Sequence, residues 1–314
     1  MSHSPASQTP AVDLQTTTPD ELQTRLKRVR QRLKQARVKR PTADTIHDLR
    51  VSTRRATAAV QSLTEFLPNQ PADTCLSTLK KVRHLAGDVR DLDILLTRFV
   101  SDNNDPELPI TGKQLKDLRK FVERRRRKLA RRLREYRLQP KQEKVQKTLP
   151  HKLRWRGEGE QPDSHALAQS AVGHCAQQSL QLLDPWPSDP PSLHELRLSL
   201  KRLRYSVEFF RDLIGTNEFD PVHRKLKRLQ VELGAISDGR AMLDILERLQ
   251  HHCPQKQVEV VAALQRHEQD KLAETCEKFL AKWTDKRSKE LRTMLSTLAE
   301  SESSNSSTVR NEAC

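Results

Sequence analysis

The sequence predicts an all-α protein, on three observations. Apolar residues recur at three- and four-residue steps through most of the chain, strand-like alternation is absent, and two distant segments match at one fixed spacing. Composition agrees: only 8 glycines and 4% aromatic residues occur in 314, which disfavours a turn-rich β architecture. The hydrophobic share of 35% is below the roughly 45–50% of ordinary globular domains, so thin leucine-stitched bundles fit better than a thick sheet-based core.

Taken in order, residues 1–18 are rich in Ser, Thr, Gln and Pro and are expected to be a disordered tail, as are residues 301–314. The first segment lacks the apolar stretch of a signal peptide, and no run approaches the roughly 18 apolar residues of a membrane span. Five scattered cysteines without a C-x-x-C pair argue against a disulfide framework. The chain therefore reads as cytoplasmic, with no membrane partner. Leu22, Leu26, Val29, Leu33 and Ala36 mark the first helix, and Leu49, Ala56, Val60, Leu63 and Leu67 the second. Prolines 41, 68, 106, 109 and 140 separate helical segments. Residues 19–138 form the first expected bundle of about four helices. Residues 139–164, polar and carrying Pro140, Pro150, Pro162 and two glycines, are the linker, and residues 165–300 form the second bundle.

The division rests on an internal match. At an offset of 147 (194 − 47), His47-Asp48-Leu49-Arg50 faces His194-Glu195-Leu196-Arg197 without gaps. Ser52 then faces Ser199, Arg54 faces Lys201, Arg55 faces Arg202 and Val60 faces Val207. Further along, Leu79-Lys80-Lys81 meets Leu226-Lys227-Arg228, Gly87 meets Gly234 and Asp91 meets Asp238. One offset serving two separated segments argues for an ancestral duplication and a pseudo-symmetric, two-lobed molecule.

Charge points to the partner class. The chain carries 57 Lys and Arg against 41 Asp and Glu, a formal net charge of +16, which attracts polyanions over long range. Ser192 and Thr45 read as N-caps, with Glu195 and Asp48 closing capping boxes, which places each histidine at the second helical position beside free N–H groups. Wound at about 100° per residue, Leu193, Leu196, Leu200, Leu203, Val207 and Phe210 fall on one shoulder of the second helix. Leu198, Tyr205 and Phe209 fall on the other. Between them lie His194, Arg197, Lys201 and Arg204, a cationic strip of roughly 15 Å. In the first copy the strip is His47, Arg50 and Arg54, continuing as Thr57 and Gln61. An ordinary solvated helix face alternates and pairs opposite charges. Here acids are sparse along both strips, although Glu208 interrupts the second.

The segments His-Asp-Leu-Arg-Val-Ser-Thr-Arg-Arg (47–55) and His-Glu-Leu-Arg-Leu-Ser-Leu-Lys-Arg-Leu-Arg-Tyr (194–205) resemble the paired signatures of the CHAD domain, the conserved-histidine α-helical domain. Gly87/Asp91 and Gly234/Asp238 resemble its Gly-x-x-x-Asp element, and the likeness spans roughly residues 20–300. It implies two four-helix bundles whose basic surfaces face each other across a central groove or pore. It also implies binding of inorganic polyphosphate and association with polyphosphate granules. The implied contacts are His47, Arg50, Arg54, Arg55, His194, Arg197, Lys201, Arg202 and Arg204, with Lys80, Lys81, Lys227 and Arg228 beside them. The first copy departs from the family pattern where Ala56-Thr57 stands for Leu-Arg. Polyphosphate, with about one charge per phosphate and no bases, suits a strip of Lys and Arg poor in aromatics, and its affinity should fall steeply with salt.

The densest charge run is Arg124 to Lys128, followed by Arg131, Arg132 and Arg134. Four successive arginines cover every side of a helix. Arg119, Arg124 and Arg131 align with Arg266, Lys271 and Lys278 at the same offset and are the better candidates to reach the ligand. An RNA- or DNA-binding role for the Arg-rich helix 119–134 is the rival reading, weakened by the scarcity of aromatic stacking platforms. No metal site is expected, because His194-Glu195 is followed by Leu198 rather than the second histidine of H-E-x-x-H. No cofactor and no catalytic residues are expected either. Gly112-Lys113 lacks the Gly of a P-loop, and the Glu-x-Glu pairs Glu158/Glu160 and Glu300/Glu302 lack the Lys of the tunnel-type triphosphatases often fused to this family. Asp91 and Asp238 read as capping or inter-helix pairing groups.

Overall fold

The computed structural model describes residues 14–101, 108, 110–153, 164–184, 186, 188–214 and 219–308. They form eleven α-helices and no strand. The first half contains α1 (Leu14–Ala36), α2 (Ala43–Ser62), α3 (Asn69–Ser101), α4 (Gly112–Glu135) and the short α5 (Pro140–Thr148). The second contains α6 (Ser164–Gln181), α7 (Pro190–Ile214), α8 (Asp220–Glu232), α9 (Gly234–Gln250), α10 (Gln255–Lys282) and α11 (Asp285–Thr308). Helix order repeats at the spacing seen in the sequence: α2 corresponds to α7, α4 to α10, and α3 to α8 and α9 together.

The periodic apolar positions form the core. Leu22, Leu26, Val29, Leu33 and Ala36 of α1 are buried, as are Leu49, Ala56, Val60, Leu63 and Leu67 around α2. Each stripe of leucines removed from water stabilises its helix where propensity alone would not. On α7 the expected first shoulder, Leu193 to Phe210, is buried throughout. The second shoulder is only partly so: Tyr205 and Phe209 are buried, but Leu198 is 40% exposed. Leu198 lies a full turn or more before the aromatic pair, outside the contact made by the C-terminal part of α7.

The two halves share much of their core. The largest apolar cluster combines α1, α2 and the start of α3 with α6, α7, α8 and α11. A second cluster combines the end of α3 and α4 with α9 and α10. Only the third, centred on Leu49, Val82 and Leu133, stays within the first half. Directly between the halves α2 meets α7, where Ser62 and Ser206 share a hydrogen bond at 3.3 Å. Small side chains let the two backbones come close at that point. Farther out, Arg98 of α3 donates to buried Glu268 of α10 at 2.8 Å.

Several helix limits differ from the sequence expectation. α1 already begins at Leu14, inside the segment expected to be disordered, while residues 1–13 lie outside the described residues. α11 continues to Thr308, past the expected boundary at 300, and residues 309–314 lie outside. The expected linker carries α5, which starts on Pro140 with Gln142 bonded back to the Gln139 N–H at 3.1 Å. Val145 and Leu149, four residues apart, pack into the main core, with Leu149 fully buried. Prolines read as breakers here act as a helix start.

Both caps also lie earlier than Ser192 and Thr45. The N-cap of α2 is Thr42, whose hydroxyl accepts from the Thr45 N–H at 3.1 Å. For α7 the carboxylate of Asp189 accepts from the Ser192 N–H at 2.9 Å, with Pro190 opening the helix. Asp caps as well as Ser does, and proline at the first position removes an N–H that would otherwise be orphaned. Thr42 and Asp189 are themselves 147 residues apart. In consequence His47 and His194 sit in the second turn, where their N–H groups belong to the helix, and they do not offer the free N-terminal donors expected of them.

Candidate anion-binding site

Along α2 the cationic row is His47, Arg50 and Arg54; along α7 it is His194, Arg197, Lys201 and Arg204. Of these only His47 is largely exposed, and the others are half-buried on the flank of their helix. The rows interact across the two halves. Lys201 is pushed down to about 8, first by burial and then by Arg54 of α2 together with Arg197 and Arg204 of its own helix, against the pull of Asp238. Burial also lowers Arg197, with Arg54 and Arg204 adding to it and Asp238 opposing. Arg54 acts on His47 and Arg50 as well, and its Nε is buried without a hydrogen-bond partner. A guanidinium from the first half is thus set among cations of the second.

α3 contributes two cations that sequence reasoning passed over. Burial lowers Arg83, and Arg54 and Arg202 lower it further. Arg90 presses on both His47 and Arg50. Arg83, Gly87, Arg90 and Asp91 fall at helical spacing on one face of α3. Their common spacing around Gly87 was the readable signal. At the duplicate positions stand Gln230 and Ser237, which play polar roles toward α7. Gln230 accepts from Arg204 Nε at 2.9 Å and donates to the Leu200 carbonyl at 3.1 Å. Ser237 bonds His194 Nδ1 at 3.2 Å.

Gly87 has a specific steric role. A Cβ there would stand 3.0 Å from Nη1 of Arg50. The missing side chain lets the guanidinium lie against α3 and reach Asp91, one turn on, at 3.4 Å. Asp91 also accepts from Arg248 of α9 at 2.7 Å. Burial pushes its carboxyl up, while Arg50 and Arg248 hold it down. The inter-helix pairing read for Asp91 is what the side chain does. Asp238 is exposed and acts on the α7 row through space. Gly234 has no neighbour where its Cβ would stand, and it opens α9.

Both histidines are lowered, each chiefly by burial. Arg90 and Arg54 add to this at His47, and Arg197, Arg240 and Lys201 at His194, with Asp48 and Asp244 opposing respectively. Both are therefore neutral at pH 7, donors of one N–H rather than charges.

The remaining sequence candidates scatter. Arg55 points away from the row: it donates to Glu208 at 2.6 Å and lines a cavity of about 300 Å³ between α1 and α2, with Arg25, Arg28 and Arg32. Glu208 also holds Arg204 at 3.7 Å, so this acid ties Arg55 of α2 to the α7 row. Arg202 is exposed yet close enough to act on Arg83. Lys80, Lys81, Lys227 and Arg228 lie on exposed helix surface. Arg124 and Arg131 are exposed on α4. Arg124 donates to the Lys120 carbonyl at 3.3 Å, and Arg131 pairs with Glu135 at 2.8 Å. Neither is brought to the rows. Among the described residues no group of His, Cys, Asp and Glu is arranged to hold a metal ion, and no helix is long and apolar enough to cross a membrane.

Comparison with known proteins places the architecture. The CHAD domain family model matches residues 20–247. The CHAD domain from the plant Ricinus communis superposes with a TM-score of 0.66 at 21% identity, over 90% of this chain and 98% of that one. PptA from Streptomyces chartreusis superposes at 0.59 and 14% identity, over 85% of this chain and 99% of that one. No curated protein matches in sequence. At these identities the solved structures speak for the fold, and the family model, covering more than half of the chain, decides membership. The histidine-headed repeats, the Gly-x-x-x-Asp face of α3 and the helical order belong together: this chain is a member of the CHAD-domain family.

Proposed function

We propose that the protein binds inorganic polyphosphate, without hydrolysing it, in the space that the α2 and α7 rows share. The observation that carries this reading is the crowding of Arg54 with Arg197, Lys201 and Arg204, which pushes Lys201 down to about 8. Like charges held together at half-buried positions cost folding energy. A linear polyanion repays that cost by supplying the missing countercharge. Arg54, Arg197 and Arg204 can grip phosphate oxygens in a bidentate manner, while Lys201 acts as a point charge. The neutral histidines add N–H donors at one end of each row.

The choice of polyphosphate over nucleic acid rests on the aromatic residues. Trp186 and Trp283 stack on each other at 5.0 Å, and Phe279 stacks on Trp283 at 5.3 Å. Phe209 and Phe210 are fully buried. Tyr205, the aromatic residue beside the rows, is buried beneath Arg204 at 4.7 Å. Among the described residues these rings are engaged with one another or with the core, not offered as base-stacking platforms, which carry much of single-strand binding. Two acids near the rows, Asp91 and Glu208, are committed to arginines, and Asp238 acts on the α7 row through space; this arrangement supports binding without chemistry. The same contacts would hold the protein on polyphosphate granules.

Competition tests the reading. Long-chain polyphosphate should displace labelled RNA at physiological salt, and RNA should displace polyphosphate only in large excess. The double reversal R197E/K201E should weaken polyphosphate binding by at least about a hundredfold, as expected for two lost charge-assisted contacts. The exposed pair K286E/K289E should leave it nearly unchanged. Equal competition by RNA, or equal losses in the two variants, would overturn the proposal, and phosphate released in the presence of Mg²⁺ would overturn its non-enzymatic part.

A further inference from the structure

α4 is densely basic, and its charges divide by face. Arg119 pairs with Glu123, Lys120 with Asp117 and Arg131 with Glu135 along exposed surface. Arg126 turns inward to Asp93 and to the Pro41 carbonyl. Arg125, Lys128 and Arg132 occupy a third face at steps of three and four, and among the described residues no ion pair engages them. That face meets the turn after α9. His252 is lowered first by Arg125, then by burial, His251, Arg132 and Lys128. Burial lowers Arg125, Arg132 adds to it, and Asp88 of α3 opposes. Basic side chains from both halves therefore gather a second time, away from α2 and α7: three cations of α4 stand beside the imidazoles of His251 and His252.

The footing is firm. Leu115, Leu118 and Val122 of α4 share one apolar cluster with Leu246 and Leu249 of α9, and Cys253 packs against it. The patch also connects to the first site. Arg50 of the α2 row and Arg248 of α9 hold the same carboxylate, Asp91, and His251 and His252 follow Arg248 within about one helical turn.

We propose that Arg125, Lys128, Arg132, His251 and His252 form a second anion-binding segment, which takes the continuation of a polyphosphate chain seated between α2 and α7. The inference rests on that seat and adds to it a sense of length. A short anion fills the α2 and α7 rows alone, whereas a long linear chain passes Arg248 and neutralises both clusters.

The test compares tripolyphosphate with long-chain polyphosphate on the wild-type protein and on R125Q/K128Q/R132Q. Lys128 and Arg132 are exposed, Arg125 is half-buried, and glutamine is a good helix former, so the variant should keep its helical circular dichroism. For the long chain, the slope of log affinity against log salt should fall by about 2, following the counterion-release rule for three lost contacts on a flexible strand. Tripolyphosphate affinity should stay within about twofold. The imidazole titration of His252, followed by NMR in the wild-type protein, should move upward with the long chain and stay in place with tripolyphosphate. An unchanged slope, an unmoved His252, or an equal loss for both ligands would overturn the second segment. Tripolyphosphate binding that is absent, or indifferent to R197E/K201E, would instead overturn the seat between α2 and α7, so the two failures are distinct.

Discussion

Replacing Lys201 with arginine keeps the charge of the site and removes its titration. In the free protein Lys201 is held down to about 8 by burial and by Arg54 of α2 and Arg197 and Arg204 of α7, with Asp238 of α9 alone pulling the other way. At pH 8 it is therefore about half protonated. A bound polyphosphate supplies negative charge among these cations, and the ammonium should return toward the ordinary lysine value near 10.5. Binding at pH 8 should then draw in about half a proton at this one position. The effect should fade below about pH 7, where Lys201 is already charged, and above about pH 11, where it stays neutral in both states. His47 and His194, lowered from 6.5, should contribute uptake in a separate window at more acidic pH. Calorimetric titrations in buffers of different ionisation enthalpy measure the uptake. K201R should bind at least as tightly and lose the pH 8 component while retaining the acidic one. Uptake at pH 8 that is absent in the wild-type protein, or unchanged in K201R, would refute the placement of Lys201 among the α2 and α7 cations. Without ligand the sign is also fixed. Between about pH 8 and 10.5 the unfolded chain binds more protons at this lysine than the folded one, so its contribution to stability should rise with pH across that window.

Gly87→Ala should place a methyl against the Arg50 guanidinium, only 3.0 Å away. Thermal melts should show stability kept or raised by up to about 1 kcal/mol from helix propensity, while polyphosphate affinity falls by up to about tenfold as Arg50 shifts; unchanged affinity would mean that Arg50 is not a contact. Arg126→Met strands Asp93, which is only 6% exposed, and chemical denaturation should show a loss of about 3–5 kcal/mol. The neighbouring Arg127→Met, on an exposed position, should change stability by less than about 0.5 kcal/mol.

Much of the helical framework was legible because burial on one face of a helix imposes a 3.6-residue rhythm that survives in the sequence. The Leu22 to Ala36 stripe and the Leu193 to Phe210 stripe are examples. The cationic rows were legible for the same reason, since His194, Arg197, Lys201 and Arg204 fall between apolar shoulders. What was not legible depended on partners distant in the chain. Arg55 aligns with Arg202 and looked equivalent, yet Glu208 from the other half draws it aside. Among the consecutive arginines of α4, sequence could not say that Arg126 turns inward to Asp93 while Arg125 faces His252. Arg83 and Arg90 were hidden because their duplicates are Gln230 and Ser237, polar but uncharged. The caps were misplaced by one turn because Thr42 and Asp189 precede the matched motif. The extent of the core shared by the two halves was not legible, since a repeat in sequence says nothing about which faces its copies share, and the largest cluster spans both.

The central claim is that the α2 and α7 rows face one ligand together, and a co-crystal with tripolyphosphate tests it most directly. Phosphate density is expected within hydrogen-bond reach of Arg54 from the first half and of Lys201 and Arg197 from the second, at the same time. Density confined to the outer surface of α4, or touching one row while the other stays in solvent, would contradict it.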